Sequence, residues 1–139
     1  MPLPEAHLAC LAAGYGLRRL WPWRLPGSRP MHRVLGSAAV GAGGYLVVRS
    51  VHAAARVDLA RPERLVTACP YSISRNPMYV GWALLHLGAG LIAGSRWIMA
   101  SLPAAVAWVH LDIRREERRL AETLGPEYER YCASVPRYL

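Results

Sequence analysis

The residues Arg75-Asn76-Pro77 stand where a polar stretch gives way to a long apolar one. Asn is favoured as the N-cap of a helix and Pro at its first position, so we predict that a helix begins at Asn76-Pro77. The unpaired N–H groups and the positive dipole end of such a helix attract anions, and Arg75 adds a full charge beside them. The segment therefore suits an amino-acid carboxylate. An ordinary capped helix start, with Arg75 directed at lipid headgroups, is the alternative.

A second candidate is a carboxylate in the C-terminal part of the chain. Apolar residues and Glu117 recur there at intervals of four, three and four, which places them in one stripe along a helix; the stripe comprises Ile113, Glu117, Leu120 and Leu124. The adjacent Glu116 falls on a different, charged side. An inward carboxylate near a membrane is costly unless a cation pairs with it. We expect that cation to be Arg75, another arginine or a ligand ammonium group, and a purely structural salt bridge remains the alternative.

Other residues with chemical potential are more isolated. His86 and His110 lie within or at the end of apolar segments, but no His, Cys or carboxylate stands near them at metal-ligand spacing. We interpret both as hydrogen-bonded packing residues and predict no metal site. Cys10, Cys69 and Cys132 are far apart and form no CxxC pair, which is typical of unpaired cysteines in a reducing compartment.

The elements that must position these residues are mostly apolar. Hydrophobic residues make up 53% of the 139-residue chain and charged residues 19%, with 12 glycines and 11 prolines. This composition suits membrane helices, in which Gly and Pro are tolerated. Apolar segments cover residues 6–17, 34–48, 77–94 and 97–111, the last interrupted by a proline and the first short for a span. We predict an all-α, polytopic transmembrane helical bundle of about four spans, with a C-terminal cytosolic helical lid.

The same pattern predicts the organisation of a single domain, residues 1–139. Residues 1–55 would hold the N-terminal helices, 56–76 a cytosolic loop with an amphipathic turn at 62–66, 77–111 a helical hairpin, and 112–139 cytosolic helices broken at Gly125-Pro126. Small residues are expected to form close helix contacts; they are Gly36, Gly41, Gly43, Gly44, Gly90 and Gly94. Arginine-rich flanks place the 56–76 loop and the tail in the cytosol. The 21–33 loop is also Arg-rich, which conflicts with simple alternation if the first segment spans.

The net charge of +8 does not indicate nucleic-acid binding. The arginines lie between apolar segments and in the tail, whereas a nucleic-acid surface gathers them on one face among aromatic residues. We therefore predict anionic membrane lipids, and no nucleic acid, as the partners of these arginines. The oligomeric state is open.

Two motifs carry a resemblance to a known family. Residues 65–81 read Leu-Val-Thr-Ala-Cys-Pro-Tyr-Ser-Ile-Ser-Arg-Asn-Pro-Met-Tyr-Val-Gly, and residues 116–137 carry a Glu-Glu pair, a Gly-x-x-Tyr-x-x-Tyr run and Val-Pro-Arg. Both motifs, in order and spacing, resemble the isoprenylcysteine carboxyl methyltransferase and phospholipid methyltransferase superfamily, in its bacterial Arg-Asn-Pro-x-Tyr form. The match covers about residues 61–139. Asn76 replaces the His of many members, so the resemblance implies no His-dependent proton role at that position, and Cys69 replaces a Gly.

The resemblance implies an integral membrane methyltransferase that uses S-adenosyl-L-methionine, in a bacterial inner membrane with its active site facing the cytosol. It implies catalytic roles for Arg75 and Glu117. The cofactor-binding residues implied by position are Tyr71, Arg75, Asn76, Pro77, Tyr79, Gly81, Glu116, Glu117, Tyr128 and Tyr131. The acceptor would be lipophilic, a carboxylate, thiol or amine of an isoprenoid- or phospholipid-like molecule. The tail would close over the cofactor.

Two other functions are compatible with parts of the pattern. One is a membrane sterol or steroid reductase, whose C-terminal region has a similar Tyr and Val-Pro pattern; the short chain and the Arg-Asn-Pro-x-Tyr segment argue against it. The other is a non-catalytic member of the same family that serves as a membrane scaffold or lipid-binding protein. Retention of both Glu116 and Glu117 argues against this second function.

Overall fold

The computed structural model describes residues 4–55 and 66–138, and the predicted amphipathic turn at 62–66 lies largely outside this range. The described part of the chain contains helices only, which confirms the all-α prediction. The five helices are α1 (Glu5–Leu20), α2 (Arg29–Ala55), α3 (Pro77–Ala93), α4 (Arg96–Leu124) and α5 (Pro126–Ser134).

The four long helices pack as antiparallel neighbours. The α3–α4 pair is the predicted hairpin, turned by Gly94, which ends α3 in the left-handed conformation (φ 58°), and by Ser95. Helix α2 packs along α3, and α1 packs along α4. All four therefore have one terminus at each end of the bundle.

Glycines set the distance between α2 and α3. A Cβ atom on Gly43 would lie 2.6 Å from the Gly81 carbonyl oxygen, and one on Gly88 would lie 2.7 Å from that of Gly36. The two backbones are thus in direct contact, as small residues permit between membrane helices. The prediction is confirmed for Gly36 and Gly43.

The prediction of close packing is wrong for three of the remaining small residues. Gly41 and Gly44 meet nothing within 4 Å, because they lie on the other side of α2. Gly94 also meets nothing and serves to end the helix, whereas Gly90 does pack closely, against Met99 of α4.

Several predicted boundaries need correction. Helix α2 begins at Arg29 and ends at Ala55, so it takes in residues expected in the flanking loops. Helix α4 continues through Pro103 and through the expected boundary at residue 112. Its 29 residues extend about 43 Å at 1.5 Å each, beyond a hydrocarbon core of roughly 30 Å. The hairpin and the segment predicted as a cytosolic tail thus share one helix, while the break at Gly125-Pro126 is confirmed.

Among the described helices, α2 has the length and apolar composition of a membrane span, and α3 is apolar but shorter. Large apolar side chains are nevertheless exposed on other helices as well, among them Leu8 and Leu17 of α1 and Trp108 and Leu111 of α4.

The histidines are packing residues, as predicted. His86 is fully buried; its Nδ1 lies 3.2 Å from Nδ1 of the buried His7, and its Nε2 lies 3.2 Å from the Ile98 carbonyl oxygen. Since a carbonyl only accepts, the proton of His86 is on Nε2 and His7 donates between the two rings. His110 Nδ1 lies 2.7 Å from the Tyr138 hydroxyl. These contacts join α1 to α3 and α4 to the C-terminal segment.

Candidate functional site

Three separate parts of the chain meet around Glu117. Arg75, just before α3, places Nη1 3.2 Å from Glu117 Oε1. Arg137, after α5, places Nη2 2.7 Å from Glu117 Oε2, and its Nε donates to both carboxylate oxygens. We call the cluster of Arg75, Glu117 and Arg137 the carboxylate cluster, and this end of the bundle the carboxylate end.

The orientation of Glu117 follows from the helical stripe. Ile113, one turn earlier, is 1% exposed, and the Glu117 side chain is 13% exposed although it is charged. Glu116 is exposed, because the next residue of a helix lies about 100° around its axis. The prediction that Glu117 is the inward carboxylate is confirmed, and its partners are two of the kinds of cation expected: Arg75 and another arginine.

Arg75 is held by several contacts of its own. Its backbone N–H donates to the Pro136 carbonyl at 2.9 Å, and Nη1 also donates to Cys132 Sγ at 2.6 Å. Its Nε is buried and has no hydrogen-bond partner among the described residues. A buried guanidinium donor without a partner is costly, so this atom marks a place for a further acceptor.

Asn76 occupies the position before α3, but its predicted capping bond is wrong. The side chain makes no capping hydrogen bond within the described residues. Instead Nδ2 donates to the Arg137 carbonyl at 3.2 Å, and the Asn76 N–H donates to Ser74 Oγ. The amide therefore fastens the C-terminal segment to the start of α3, and the first N–H groups of α3 are not capped by Asn76. Pro77 is buried at the first helical position, as predicted.

Tyrosines surround the cluster. The Tyr131 hydroxyl donates to the Tyr71 carbonyl at 2.7 Å, which joins α5 to the segment before α3. Burial raises the pKa of Tyr131 to about 12 and also raises the pKa of Tyr71 and Tyr128, because the phenolate form is desolvated. These hydroxyls stay protonated and act as hydrogen-bond donors at neutral pH. Tyr79 packs against the core formed by α1 and α4.

The structure does not bring every predicted site residue to the cluster. Glu116 is exposed on α4, about 100° around the helix from Glu117, and Gly81 lies against Gly43 and Val47 of α2. The position of Gly81 is explained by helix packing, since a Cβ atom there would lie 2.9 Å from the Gly43 carbonyl oxygen.

Sequence reasoning missed Arg137 as a site residue. Arg137 belongs to the Val-Pro-Arg part of the C-terminal motif, and its membership of that motif was the signal that could have identified it as a site residue. Its contact with Glu117 depends on how the chain returns after α5, which no local pattern encodes. The hydrogen bond from Arg137 to Glu117 raises the pKa of the guanidinium, so Arg137 remains charged.

The carboxylate cluster carries two guanidinium ions and one carboxylate. A carboxylate offers about four lone-pair sites, and the two arginines place two nitrogen contacts on each oxygen of Glu117. The cluster thus presents positive, negative and positive charge in order, with a surplus of one positive charge. Within residues 4–55 and 66–138, no group of three His, Cys, Asp or Glu side chains is placed to hold a metal ion.

Comparison with known proteins places this site in context. The phospholipid methyltransferase family model matches residues 31–127. The chain is also similar to the cobalt-zinc-cadmium resistance protein CzcN of Cupriavidus metallidurans, with 35% identity over 74 residues. That match covers 53% of this chain and 34% of the relative, so the chain spans about a third of the relative's length. No solved structure matches the chain.

Proposed function

The chain belongs to the phospholipid methyltransferase family, and from this premise we propose that it transfers a methyl group from S-adenosylmethionine to a lipophilic acceptor at the membrane surface. Members of this family are membrane proteins and typically methyltransferases that use this cofactor. The acceptor class is a carboxylate, thiol or amine on an isoprenoid- or phospholipid-like molecule.

The observation that carries the proposal is the charge order of the carboxylate cluster. The amino-acid end of S-adenosylmethionine is a zwitterion, with one ammonium and one carboxylate group. The ammonium group would compete for Glu117 with Arg137, whose side chain is 36% exposed, and the unpartnered Nε of Arg75 is a donor for the carboxylate. The zwitterion carries no net charge, so each of its two groups would be held by the opposite charge in the cluster.

The start of α3 adds to the same site. The first N–H groups of a helix lack intrahelical partners, and the helix dipole places partial positive charge there. Because Asn76 bonds to the C-terminal segment, its side chain does not occupy these groups. They stand directly after Arg75 in the chain, so a carboxylate held there would meet both a charge and a helix N-terminus.

The chain's own residues contribute positioning and exclusion of water. When bound, the cofactor would supply a methyl group activated by its sulfonium, and transfer to the acceptor would break the carbon–sulfur bond and leave S-adenosylhomocysteine. Arg75 and Glu117 would fix the amino-acid end, and burial of Tyr128 and Tyr131 makes the surroundings apolar. A water-poor site favours a transfer in which the sulfonium charge is dispersed, and positioning supplies much of the rate.

The membrane arrangement is part of the proposal. Exposed apolar side chains on α1, α2 and α4 support four membrane segments, formed by α1, α2, α3 and the first half of α4. The second half of α4 and α5 would lie in the cytosol and cover the cofactor. The acceptor would enter laterally from the lipid, between apolar helices.

A second candidate is a non-catalytic, lipid-binding or scaffold role. One observation favours it: Glu117 already pairs with both Arg75 and Arg137, as a structural ion pair would. The two functions differ in whether the cluster accepts a ligand, and this is measurable.

The test is calorimetric titration of the purified full chain in neutral detergent. We expect S-adenosylmethionine and S-adenosylhomocysteine to bind, because both carry the zwitterion. We expect 5′-methylthioadenosine, which lacks the amino-acid end, to bind at least tenfold more weakly. Equal binding of all three would contradict the role of the carboxylate cluster, and no binding of any would favour the scaffold. Transfer of label from the cofactor's methyl group to lipid extracts would then identify the acceptor.

A further inference from the structure

The opposite end of the bundle contains a cavity of about 700 Å³. It lies where α1 ends, α2 begins and α3 ends, 17 residues of α3 away from the carboxylate cluster, or about 25 Å. Its walls carry many cationic side chains; they include Arg18, Arg19, Arg24, Arg29 and Arg33, together with His32. We call this the arginine cavity.

The cations of the arginine cavity have no acidic counterpart nearby in the chain. The sequence contains no Asp or Glu from residue 6 to residue 57. Within the described ranges, the ion pairs involve only Arg75, Arg115 and Arg137, all at the carboxylate end or beyond it. Like charges that share a concave surface repel one another and focus a positive potential into it. An anion in the cavity would remove that repulsion.

The cavity is built on a fixed backbone. The loop between α1 and α2 is tied to the α3–α4 turn, because Leu25 N–H donates to Gly94 O and Arg96 N–H donates to Trp23 O, each at 2.9 Å. The Arg96 guanidinium also lies 5.2 Å from the centre of the Trp23 ring, within cation–π range. The charged side chains therefore project from a loop whose course is set by these contacts.

The first turn of α2 adds a helix N-terminus to this wall. Helix α2 has 27 residues and begins at Arg29, so its positive dipole end is at the cavity. Pro30 carries no N–H and the His32 N–H donates to the Ser28 carbonyl, so Arg29 and Met31 supply the free N–H groups of this first turn. Gly27 also lines the wall, with φ of 107°, and a Cβ atom on it would approach His32 Nε2 to 3.3 Å. A side chain at residue 27 would be strained and would narrow the cavity.

The surface around the cavity is apolar, which identifies the kind of anion. Leu20 is 81% exposed and Trp21 is 76% exposed at the end of α1, and Val34 is 69% exposed on the first turns of α2. Trp is favoured at the headgroup level of membranes, and α2 is the helix most suited to span one. A soluble anion would use the arginines but not this apolar rim.

We propose that the arginine cavity binds the phosphate of an anionic phospholipid, whose acyl chains lie along the exposed apolar side of α2. The arginines pair with phosphate oxygens, and the first N–H groups of α2 face the same group. Since α3 separates this cavity from the carboxylate cluster, the lipid belongs to the leaflet opposite the one proposed for the cofactor.

This site also accounts for the arginine pattern that conflicts with simple alternation. The 21–33 loop is Arg-rich although it lies at the end of the bundle away from the proposed cytosolic side. A bound lipid phosphate neutralises these arginines locally, so they serve lipid binding and not orientation.

The experiment measures thermal unfolding of the full chain in neutral detergent. The probes are phosphatidylglycerol, phosphatidylcholine and inorganic phosphate, each titrated separately. We expect phosphatidylglycerol to raise the midpoint by several degrees, and the other two to leave it within about one degree. An equal rise with inorganic phosphate would identify a soluble anion and overturn the lipid assignment, as would an equal rise with phosphatidylcholine.

Two triple variants of equal net charge locate the effect. Arg19→Gln/Arg29→Gln/Arg33→Gln alters the cavity, and we expect it to weaken phosphatidylglycerol binding at least tenfold. The matched control Arg114→Gln/Arg118→Gln/Arg119→Gln alters exposed arginines of α4 and should retain the unmodified affinity. Equal affinities in the two variants would overturn the proposal. Circular dichroism and the midpoint without lipid establish that both variants fold.

Discussion

The two ends of the bundle are both rich in arginine, yet they handle the charge differently. At the carboxylate end, Glu117 lies between Arg75 and Arg137 at hydrogen-bonding distances. At the arginine end, the cavity lined by Arg18 and Arg19 has no carboxylate among its described lining residues. The first end is partly neutralised by the chain itself, whereas the described residues that line the second provide no counter-charge.

The two ends therefore suit the two different ligands proposed for them. A mixed cluster offers an opposite charge to each group of a zwitterion, and an all-cationic cavity with an apolar rim offers only positive charge, as a lipid phosphate requires. Net charge alone, +8 for the chain, does not distinguish the two. What distinguishes them is whether a carboxylate shares the site.

The largest expected effect comes from the close contact between α2 and α3, which both run from one end of the bundle to the other. We expect Gly43→Ala to lower the free energy of unfolding by about 2 kcal/mol, because the added methyl group meets the Gly81 backbone at 2.6 Å and overpacking costs roughly 1–3 kcal/mol. Thermal or denaturant unfolding in detergent measures the change. Gly41→Ala is the matched control, since a Cβ atom there meets nothing within 4 Å and Ala favours helix over Gly. Equal losses of unfolding free energy in both variants would contradict the close backbone contact between α2 and α3.

Two variants, each of which removes one arginine from one end of the bundle, compare the two ends directly. Arg137→Met should lower the stability by about 1 kcal/mol, a value reduced from that of buried pairs because the Arg137 side chain is 36% exposed. Arg19→Met, measured without anionic lipid, should leave the stability unchanged or raise it, because it relieves repulsion between like charges. Unfolding midpoints in neutral detergent measure both. The same loss of stability in both variants would contradict the proposed difference between the two ends.

An effect of similar size concerns the hydrogen bond that joins α5 to the segment before α3. Tyr131→Phe removes the donor to the Tyr71 carbonyl and should cost about 1 kcal/mol. Tyr45→Phe is the control, because Tyr45 is exposed on α2. A loss no larger than that of the control would show that the bond contributes little to docking of α5.

The raised pKa of Tyr131 predicts that the free energy of unfolding depends on pH in the alkaline range. The folded state keeps the Tyr131 proton up to a pKa of about 12, whereas the unfolded chain releases it near pH 10. The folded state thus binds more protons in this window, and the free energy of unfolding falls as pH rises through it. Tyr131→Phe should show a smaller fall, which unfolding at a series of pH values would detect. An unchanged slope would mean that Tyr131 titrates as an exposed residue.

The sequence predicted what depends on local periodicity. Spacing alone placed Glu117 on the inward stripe and Glu116 outside, because neighbouring helical residues differ by a fixed angle. The start of α3 at Pro77 was also predictable, since Pro has a strong preference for the first position of a helix.

What the sequence did not predict depends on tertiary contacts. The partnership of Arg137 with Glu117 and the bond from Asn76 to the Arg137 carbonyl both arise from the return of the chain after α5. The continuity of α4 was missed because its side chains change from mostly apolar to mostly charged near residue 112. The helical backbone nevertheless continues through that position. The choice of Gly43 over Gly41 as a contact depends on the face of α2 that meets α3.

The proposed role of the carboxylate cluster in cofactor binding is tested most directly by comparing two adjacent carboxylates. Glu117→Gln and Glu116→Gln remove the same charge from neighbouring positions, one inside the carboxylate cluster and one exposed on α4. Calorimetric titration with S-adenosylmethionine should show at least a tenfold loss of affinity for Glu117→Gln and less than a threefold loss for Glu116→Gln. Equal losses, or no loss in either variant, would contradict the assignment of the cofactor's amino-acid end to the cluster of Arg75, Glu117 and Arg137.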